Sequence, residues 1–198
     1  MLEGTRNKIL FPILLIRMTT NLFEAAAIGS CVVAMVHSYK VGGLKRTLFL
    51  FSLPFFAGWV MEALYMWSLR GFFYPAENYA LWLPGGFPVA IACGWVIAVY
   101  AGFMAMRRFR SIKLGVLAGV GIDAVLEPLA LYFNLWTWTS SNPLQQITYF
   151  GAPMINALVW PLFVSSMLLI LRSGKLYQLK NEWRMVQPTI SNPAAKIA

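Results

Sequence analysis

Five apolar windows, each about as long as a membrane-crossing helix, constrain this chain more than any other feature of its sequence. They run over residues 18–39, 46–69, 87–106, 113–134 and 153–172. With 59% hydrophobic and only 12% charged residues, the chain is also too apolar for an ordinary soluble domain. We therefore predict an all-α fold, a polytopic membrane helix bundle of about five transmembrane helices.

The two ends of the chain are predicted from the same pattern. The apolar run 9–16 is too short to span a bilayer, so we expect a short N-terminal interfacial segment or an extension of the first helix. Residues 173–198 are polar and end in QPTISNPAAKIA, without apolar periodicity. We predict a single transmembrane domain over residues 1–172 and a disordered cytoplasmic tail over residues 173–198.

Basic residues gather at the ends of the predicted spans. They fill the loops at 40–46 and 107–113 and the segment after 172, whereas the other two loops carry little or no positive charge. The positive-inside rule then places the C-terminus in the cytoplasm of a cell, which we expect to be prokaryotic, and makes the lipid bilayer the main partner. Because the net charge of +9 is spread over span ends, we expect no binding to nucleic acid.

Acidic residues inside the apolar windows give the main indication of function. Four of the seven acids of the chain, Glu24, Glu62, Asp123 and Glu127, lie in predicted spans. Counted from the cytoplasmic helix ends, Glu24, Glu62, Glu127 and the polar Asn156 all fall about 21–24 Å from the inner face. Ionisable groups in spans are costly and are usually functional, so these residues predict a shared pocket.

The fourth span carries its acids on one face. Gly115, Gly119, Asp123 and Glu127 form a single i, i+4 ridge, in which the small residues let a neighbouring backbone approach closely. We expect this ridge to face the bundle interior. Pro128 has no amide hydrogen and should bend the helix beside Glu127.

The residue types exclude several chemistries. His37 is the only histidine, which argues against a di-iron centre and against a serine or cysteine nucleophile with its base. Cys31 and Cys93 lie within spans, where we expect buried free thiols rather than a disulfide. We expect no cofactor and no metal. A carboxylic acid in an apolar site can donate a proton, and aromatic faces stabilise a cation, which suits protonation of an isoprenoid double bond.

Two stretches resemble a known family. The sequence IDAVLEPLALYFNLWTW and the following YFGAPMINALVW are similar to the acid, acid-Pro, W-x-W and Y-x-G-x-P-x-x-N-x-x-x-W pattern of the carotenoid biosynthesis membrane family, which includes hydratases of acyclic carotenoid end groups. The segments FEAAAIG, VMEALYMWSLRGFFY and GGFPVAIACGW add weaker similarity. The resemblance implies cofactor-free addition of water across the terminal C1–C2 double bond of a carotenoid substrate.

The resemblance also implies roles for single residues. Asp123 or Glu127 would protonate C2, while the other acid, together with Glu62, would orient water for attack at C1. Asn156 would position that water or its acid partner. The other predicted substrate-binding residues are four aromatic side chains and one acid: Trp136, Trp138, Trp160, Tyr149 and Glu24.

Two further functions fit the same residues. An end-group cyclase would begin with the same protonation but capture the cation with an internal double bond. A proton-coupled carrier or assembly subunit would use the acids as a proton relay, and it predicts acids at several depths. The sequence leaves open whether the chain associates with a second copy of itself or with other carotenoid enzymes.

Overall fold

The structure is a computed structural model that describes residues 3–69, 72–139, 143, 146–149 and 151–173, with side chains except those of residues 3–20, 69 and 149. The chain is mostly helical, as the sequence predicts. Its α-helices are α1 (Glu3–Leu64), α2 (Val89–Phe109), α3 (Ile112–Tyr132) and α4 (Asn156–Ser173). A π-helical turn, Tyr65–Leu69, follows α1 directly, and a short 3-10 helix covers Ala76–Asn78. Residues 174–198 of the predicted tail lie outside the described residues, so their disorder stays a prediction.

The helices have the length and composition of membrane spans. Within the described residues, four helical segments are long and apolar enough to cross a membrane: Asn21–Ser68, Val89–Phe109, Ile112–Tyr132 and Asn156–Ser173. The first of them covers two of the five predicted windows, so the count of five is not confirmed. Residues 9–16 are helical and continue into α1, which is the second of the two alternatives expected for them.

The longest helix, α1, is interrupted at Gly43. This residue has φ 71° and ψ 176°, a backbone conformation that glycine adopts far more readily than other residues. Glu24 before the break and Trp59 after it both hydrogen bond to the loop formed by residues 80–84. In an unbroken helix residues 24 and 59 would lie about 50 Å apart. The chain therefore folds back at Gly43, and we call the parts of α1 before and after it the first arm and the second arm.

The central helix of the bundle is α2, which packs against α1, α3 and α4. Twelve of its 21 residues are buried, and Trp95, Val99 and Phe103 are at most 1% exposed. A helix that is apolar all round is suited to such a position. Cys93 of α2 and Cys31 of the first arm are both buried and free, which confirms the expectation for the two thiols.

One face of α3 lies against the rest of the bundle. Its buried residues follow the predicted ridge: Gly115, Gly119, Asp123, Glu127 and Ala130. A Cβ atom added to Gly115 would lie 2.8 Å from the carbonyl oxygen of Gly102 in α2, and one on Gly119 would lie 2.9 Å from that of Ala98. The prediction that this ridge faces the interior is confirmed, and the glycines are what let α2 and α3 approach so closely.

Short strands in the loops were not predicted. In the described part of the chain they are β1 (Phe72–Phe73), β2 (Trp82–Leu83), β3 (Phe87–Pro88), β4 (Thr137–Trp138), β5 (Thr148–Tyr149) and β6 (Ala152–Pro153). They pair antiparallel as β1 with β4, β2 with β3, and β5 with β6. Two residues are too few to show a period of two in the sequence. The pairing of β1 with β4 joins the loop after α1 to the loop after α3, and we call these two loop segments, residues 72–88 and 133–139, the cap.

The contact between α2 and α3 predicts opposite effects for two glycines of α3. Gly115→Ala should lower the stability of the folded protein by about 1–3 kcal/mol, because the new methyl group meets the Gly102 backbone and Met106. Gly121→Ala is the matched control: nothing lies within 4 Å of its Cβ position. It should be neutral or stabilising by up to about 1 kcal/mol. Thermal unfolding of both variants in detergent would test this, and equal melting temperatures would contradict the packing.

Candidate functional site

Glu127 of α3 is held by three N–H donors from outside its own helix. Its Oε1 accepts hydrogen bonds from Trp136 Nε1 at 3.1 Å and Trp138 Nε1 at 2.8 Å. Its Oε2 accepts one from Asn156 Nδ2 at 3.2 Å. Glu127 is only 2% exposed, so these donors replace the water that a carboxyl group would otherwise bind. Three residues of the candidate motif thus converge on one acid.

The two tryptophans reach Glu127 because the chain turns sharply after α3. Asn134 adopts a left-handed conformation with φ 53°, which asparagine tolerates better than most residues. The amide of Leu135 then donates to the carbonyl oxygen of Ala130 at 2.8 Å and closes the helix end. Trp138 in β4 pairs with Phe72 in β1. This turn brings the W-x-W segment back over the helix that carries the acid.

Glu62 of the second arm has a different environment. Its Oε1 accepts a hydrogen bond from Trp95 Nε1 of α2 at 2.9 Å, the one donor to Glu62 among the described residues. The Trp95 ring stacks on Trp160 of α4, with ring centroids 3.7 Å apart and planes 13° from parallel. Glu62, Trp95 and Trp160 therefore form a chain of contacts across three helices.

Glu62 and Glu127 line the same cavity. It has a volume of about 470 Å³ and is lined by the second arm, α2, α4, the end of α3 and the cap. Its polar groups include the two acids and Asn156, and most of its remaining lining is apolar or aromatic. The two carboxyl groups interact electrostatically across it. This volume and lining are typical of a site for an apolar small molecule with a few polar contacts.

Asp123 does not line the cavity, although it is 4% exposed and lies one turn before Glu127 on the same ridge. Its carboxyl group interacts electrostatically with those of Glu127 and Glu62. Asp123 is therefore a charged or polar neighbour behind the cavity wall, where it can act on the other two acids but not on a bound molecule.

Glu24 also lies away from the cavity. Its two carboxyl oxygens accept hydrogen bonds from the backbone amides of Ala80 and Leu81, each at 3.0 Å. Because Glu24 is 6% exposed, these bonds satisfy both of its oxygens inside the protein. Glu24 thus anchors the loop of the cap to the first arm, and the structure does not bring it together with the other acids.

The other predicted residues divide in the same way. Trp136, Trp138, Trp160 and Asn156 all line the cavity. Tyr149 lies in β5, paired with Ala152, but its side chain is outside the described part of the chain, so its predicted role stays a prediction.

Two of the cavity residues that sequence reasoning missed contact the site directly. Trp95 holds Glu62, and a signal was available, because a tryptophan within a span needs an acceptor for its indole N–H. Tyr74 in the cap is buried and lies against Trp136, with ring centroids 6.2 Å apart. Burial first, and then the charge of Glu62, raises the pKa of Tyr74 well above its usual value, so its hydroxyl keeps its proton.

The fold and the cavity together define a class of protein: a helical bundle with helices of membrane-spanning length and acids around an aromatic cavity. Within the described residues, no cluster of three or more histidine, cysteine or acidic side chains could hold a metal ion. Comparison of the chain with family models, curated proteins and solved structures finds no match.

The anchoring role of Glu24 can be tested without any assay of function. Glu24→Gln keeps one acceptor oxygen but replaces the other by an NH₂ group, which cannot accept a hydrogen bond from a backbone amide. The loop at residues 80–84 should therefore open more often. Hydrogen exchange at Ala80 and Leu81 should become about tenfold faster or more. Glu77→Gln is the control, since Glu77 is exposed in the same loop. Unchanged exchange in the Glu24 variant would mean that these bonds do not hold the loop.

Proposed function

We propose that this protein is a membrane enzyme of carotenoid biosynthesis that adds water to the terminal C1–C2 double bond of an acyclic carotenoid, without a cofactor. The single observation that carries the proposal is the cavity of about 470 Å³ in which Glu62 and Glu127 face a lining of aromatic and aliphatic side chains. Hydration of an unactivated alkene needs a proton donor, a base for the attacking water and protection of a cation. The cavity offers side chains for each of these tasks.

Different hydrogen bonding supports different roles for the two acids. Among the described residues one N–H group donates a hydrogen bond to Glu62, at Oε1, and this leaves its other oxygen for a proton. Three N–H groups donate hydrogen bonds to Glu127, and such bonds favour the negatively charged form of its carboxyl group. We therefore assign the proton donor to Glu62 and the water-activating base to Glu127. This differs from the sequence-based assignment, in which Asp123 or Glu127 was the donor, because Asp123 does not line the cavity.

The proposed reaction proceeds in two proton transfers. Glu62 gives its proton to C2 of the substrate, the C1–C2 π bond breaks, and a tertiary cation forms at C1. Water held near Glu127 and Asn156 then forms the C1–O bond and loses a proton to Glu127. Transfer of a proton from Glu127 back to Glu62 restores both acids, and one water molecule has been added to the substrate.

Aromatic rings support the cationic intermediate. Trp136, Trp138 and Trp160 contribute to the cavity wall, and Trp95 lies stacked on Trp160. The electron-rich face of an indole ring attracts a cation within about 6 Å of its centroid. The same rings limit the access of further water, so that a single water near Glu127 captures the cation.

The membrane part of the proposal concerns the number of crossings. The break at Gly43 and the shared contacts of Glu24 and Trp59 with residues 80–84 support two separate crossings by the two arms of α1. With α2, α3 and α4 this makes five transmembrane helices. We propose a prokaryotic cell membrane as the location, with a cytoplasmic C-terminus, from the basic residues at 40–46 and 107–113.

The proposal predicts a ranking of the acids by their effect on turnover. In a host that produces an acyclic carotene, Glu62→Gln and Glu127→Gln should each lower the hydrated product by about 10²–10⁴-fold, because each removes a proton-transfer group. Asp123→Asn should have a smaller effect, since this acid acts only through its neighbours. Glu77→Gln, at an exposed position of the cap, should leave the product unchanged.

Mass spectrometry of the extracted pigments separates the competing functions. Hydration raises the mass of the carotene by that of one water, whereas cyclisation leaves the mass unchanged and alters the absorption spectrum. An unaltered pigment with the intact protein would refute both reactions and would favour the carrier or assembly function. Full product formation in both the Glu62 and Glu127 variants would remove these acids from the mechanism.

A further inference from the structure

The cavity has exposed lining residues on one side only. They are Leu64 and Ser68, at the end of the second arm and in the π-helical turn, and Leu162 and Ser166 in α4. The two leucines are 58% and 68% exposed. Each helix contributes a leucine and, four residues later, a serine, so that both pairs lie on one helical face. The cavity therefore reaches the outer surface of the bundle between these two helices.

The lining residues contributed by α2 and by residues 72–74 are buried. Ile91 and Trp95 of α2 are buried behind it, and Phe72 and Tyr74 of the cap are buried above it. Phe163, next to Leu162 in α4, is buried against Trp95, with ring centroids 4.4 Å apart. The most exposed part of the lining is therefore the side that carries Leu64 and Leu162.

The packing of the helices explains why the gap exists. The second arm packs mainly on α2, and α4 packs on α3 and α2, whereas among the described residues α1 and α4 are not a packed pair. Both helices thus stand on α2 with a space between them. Because both have the length and composition of membrane spans, this space opens toward lipid chains rather than toward water.

We infer that the gap formed by Leu64, Ser68, Leu162 and Ser166 is a lateral portal, through which the end group of a long acyclic isoprenoid hydrocarbon enters the cavity from the bilayer. This inference rests on the proposed function for the identity of the ligand. A cavity of about 470 Å³ suits an end group, and the open side lets the rest of a long tail remain among the lipid chains. The substrate class is therefore a linear, membrane-dissolved terpenoid with an unmodified end group.

The portal can be tested by labelling, independently of turnover. The full-length protein in phospholipid vesicles is irradiated with an acyclic all-trans terpenoid hydrocarbon that carries a diazirine at one end, and adducts are mapped by mass spectrometry. The intact protein should be labelled within residues 127–160, a stretch that includes the cavity-lining residues Glu127, Trp136, Trp138, Asn156, Val159 and Trp160. Leu64→Trp combined with Leu162→Trp should reduce this labelling about tenfold by filling the gap.

Two further variants keep the test decisive. Val60→Trp with Leu169→Trp adds the same bulk at lipid-exposed positions that do not line the cavity, and it should be labelled like the intact protein. Leu64→Ala with Leu162→Ala widens the gap and should raise the labelling, which provides a second measure if the bulky variant does not fold. Equal labelling of the intact, filled and widened proteins, or no cavity labelling of the intact protein, would overturn the portal.

Turnover of lycopene in the same vesicles separates this inference from the proposed function. If the intact protein is labelled in the cavity and the filled variant is not, yet the mass of lycopene never changes, the portal stands and the hydration proposal fails. If hydrated product forms equally fast in the intact and filled proteins, hydration stands and the portal is wrong.

Discussion

Three of the four buried carboxyl groups among the described residues accept hydrogen bonds from N–H donors of other segments, and these bonds hold the structure together. A carboxyl group that is buried away from bulk water needs hydrogen-bond partners, and within a packed bundle other segments of the chain supply them. Glu24 finds them in backbone amides, Glu62 in one indole and Glu127 in two indoles and an amide. Every one of these bonds joins an acid to a different segment, so the acids fix how helices and cap lie relative to one another.

The cap depends on this constraint most directly. Residues 72–88 carry little regular structure, yet they are bound to the first arm through Glu24 and to the second through Trp59. Tyr79 donates to the carbonyl oxygen of Leu135 at 3.0 Å and thereby joins the two loops of the cap. Burial, followed by the charge of Glu24, raises the pKa of Tyr79, so this donor keeps its proton. A cap held in this way can keep water from the cavity while leaving the side between the second arm and α4 open.

The difference between Glu62 and Glu127 gives the proposed chemistry its direction. Glu62 accepts one hydrogen bond and Glu127 accepts three, and both line the same cavity. The two glutamates therefore differ in how readily each holds a proton. Asp123 lies on the same ridge of α3 as Glu127 but does not line the cavity, so its surroundings differ from those of both glutamates. Sequence position alone made Asp123 and Glu127 interchangeable candidates, and only their surroundings distinguish them.

The sequence by itself determined the apolar helices and the inward-facing ridge of α3, and it singled out Glu62, Glu127 and Asn156, which line one cavity, because hydropathy and helical periodicity are local properties of the chain. The boundaries of α2, α3 and α4 were predicted to within a few residues, whereas α1 begins well before the first predicted window and covers two of them. The tertiary structure decided what depends on contacts between distant segments. Trp95 became the partner of Glu62, Glu24 became an anchor of the cap, and the opening beside Leu162 appeared, since helix packing is set by long-range complementarity and leaves no periodic pattern in the sequence.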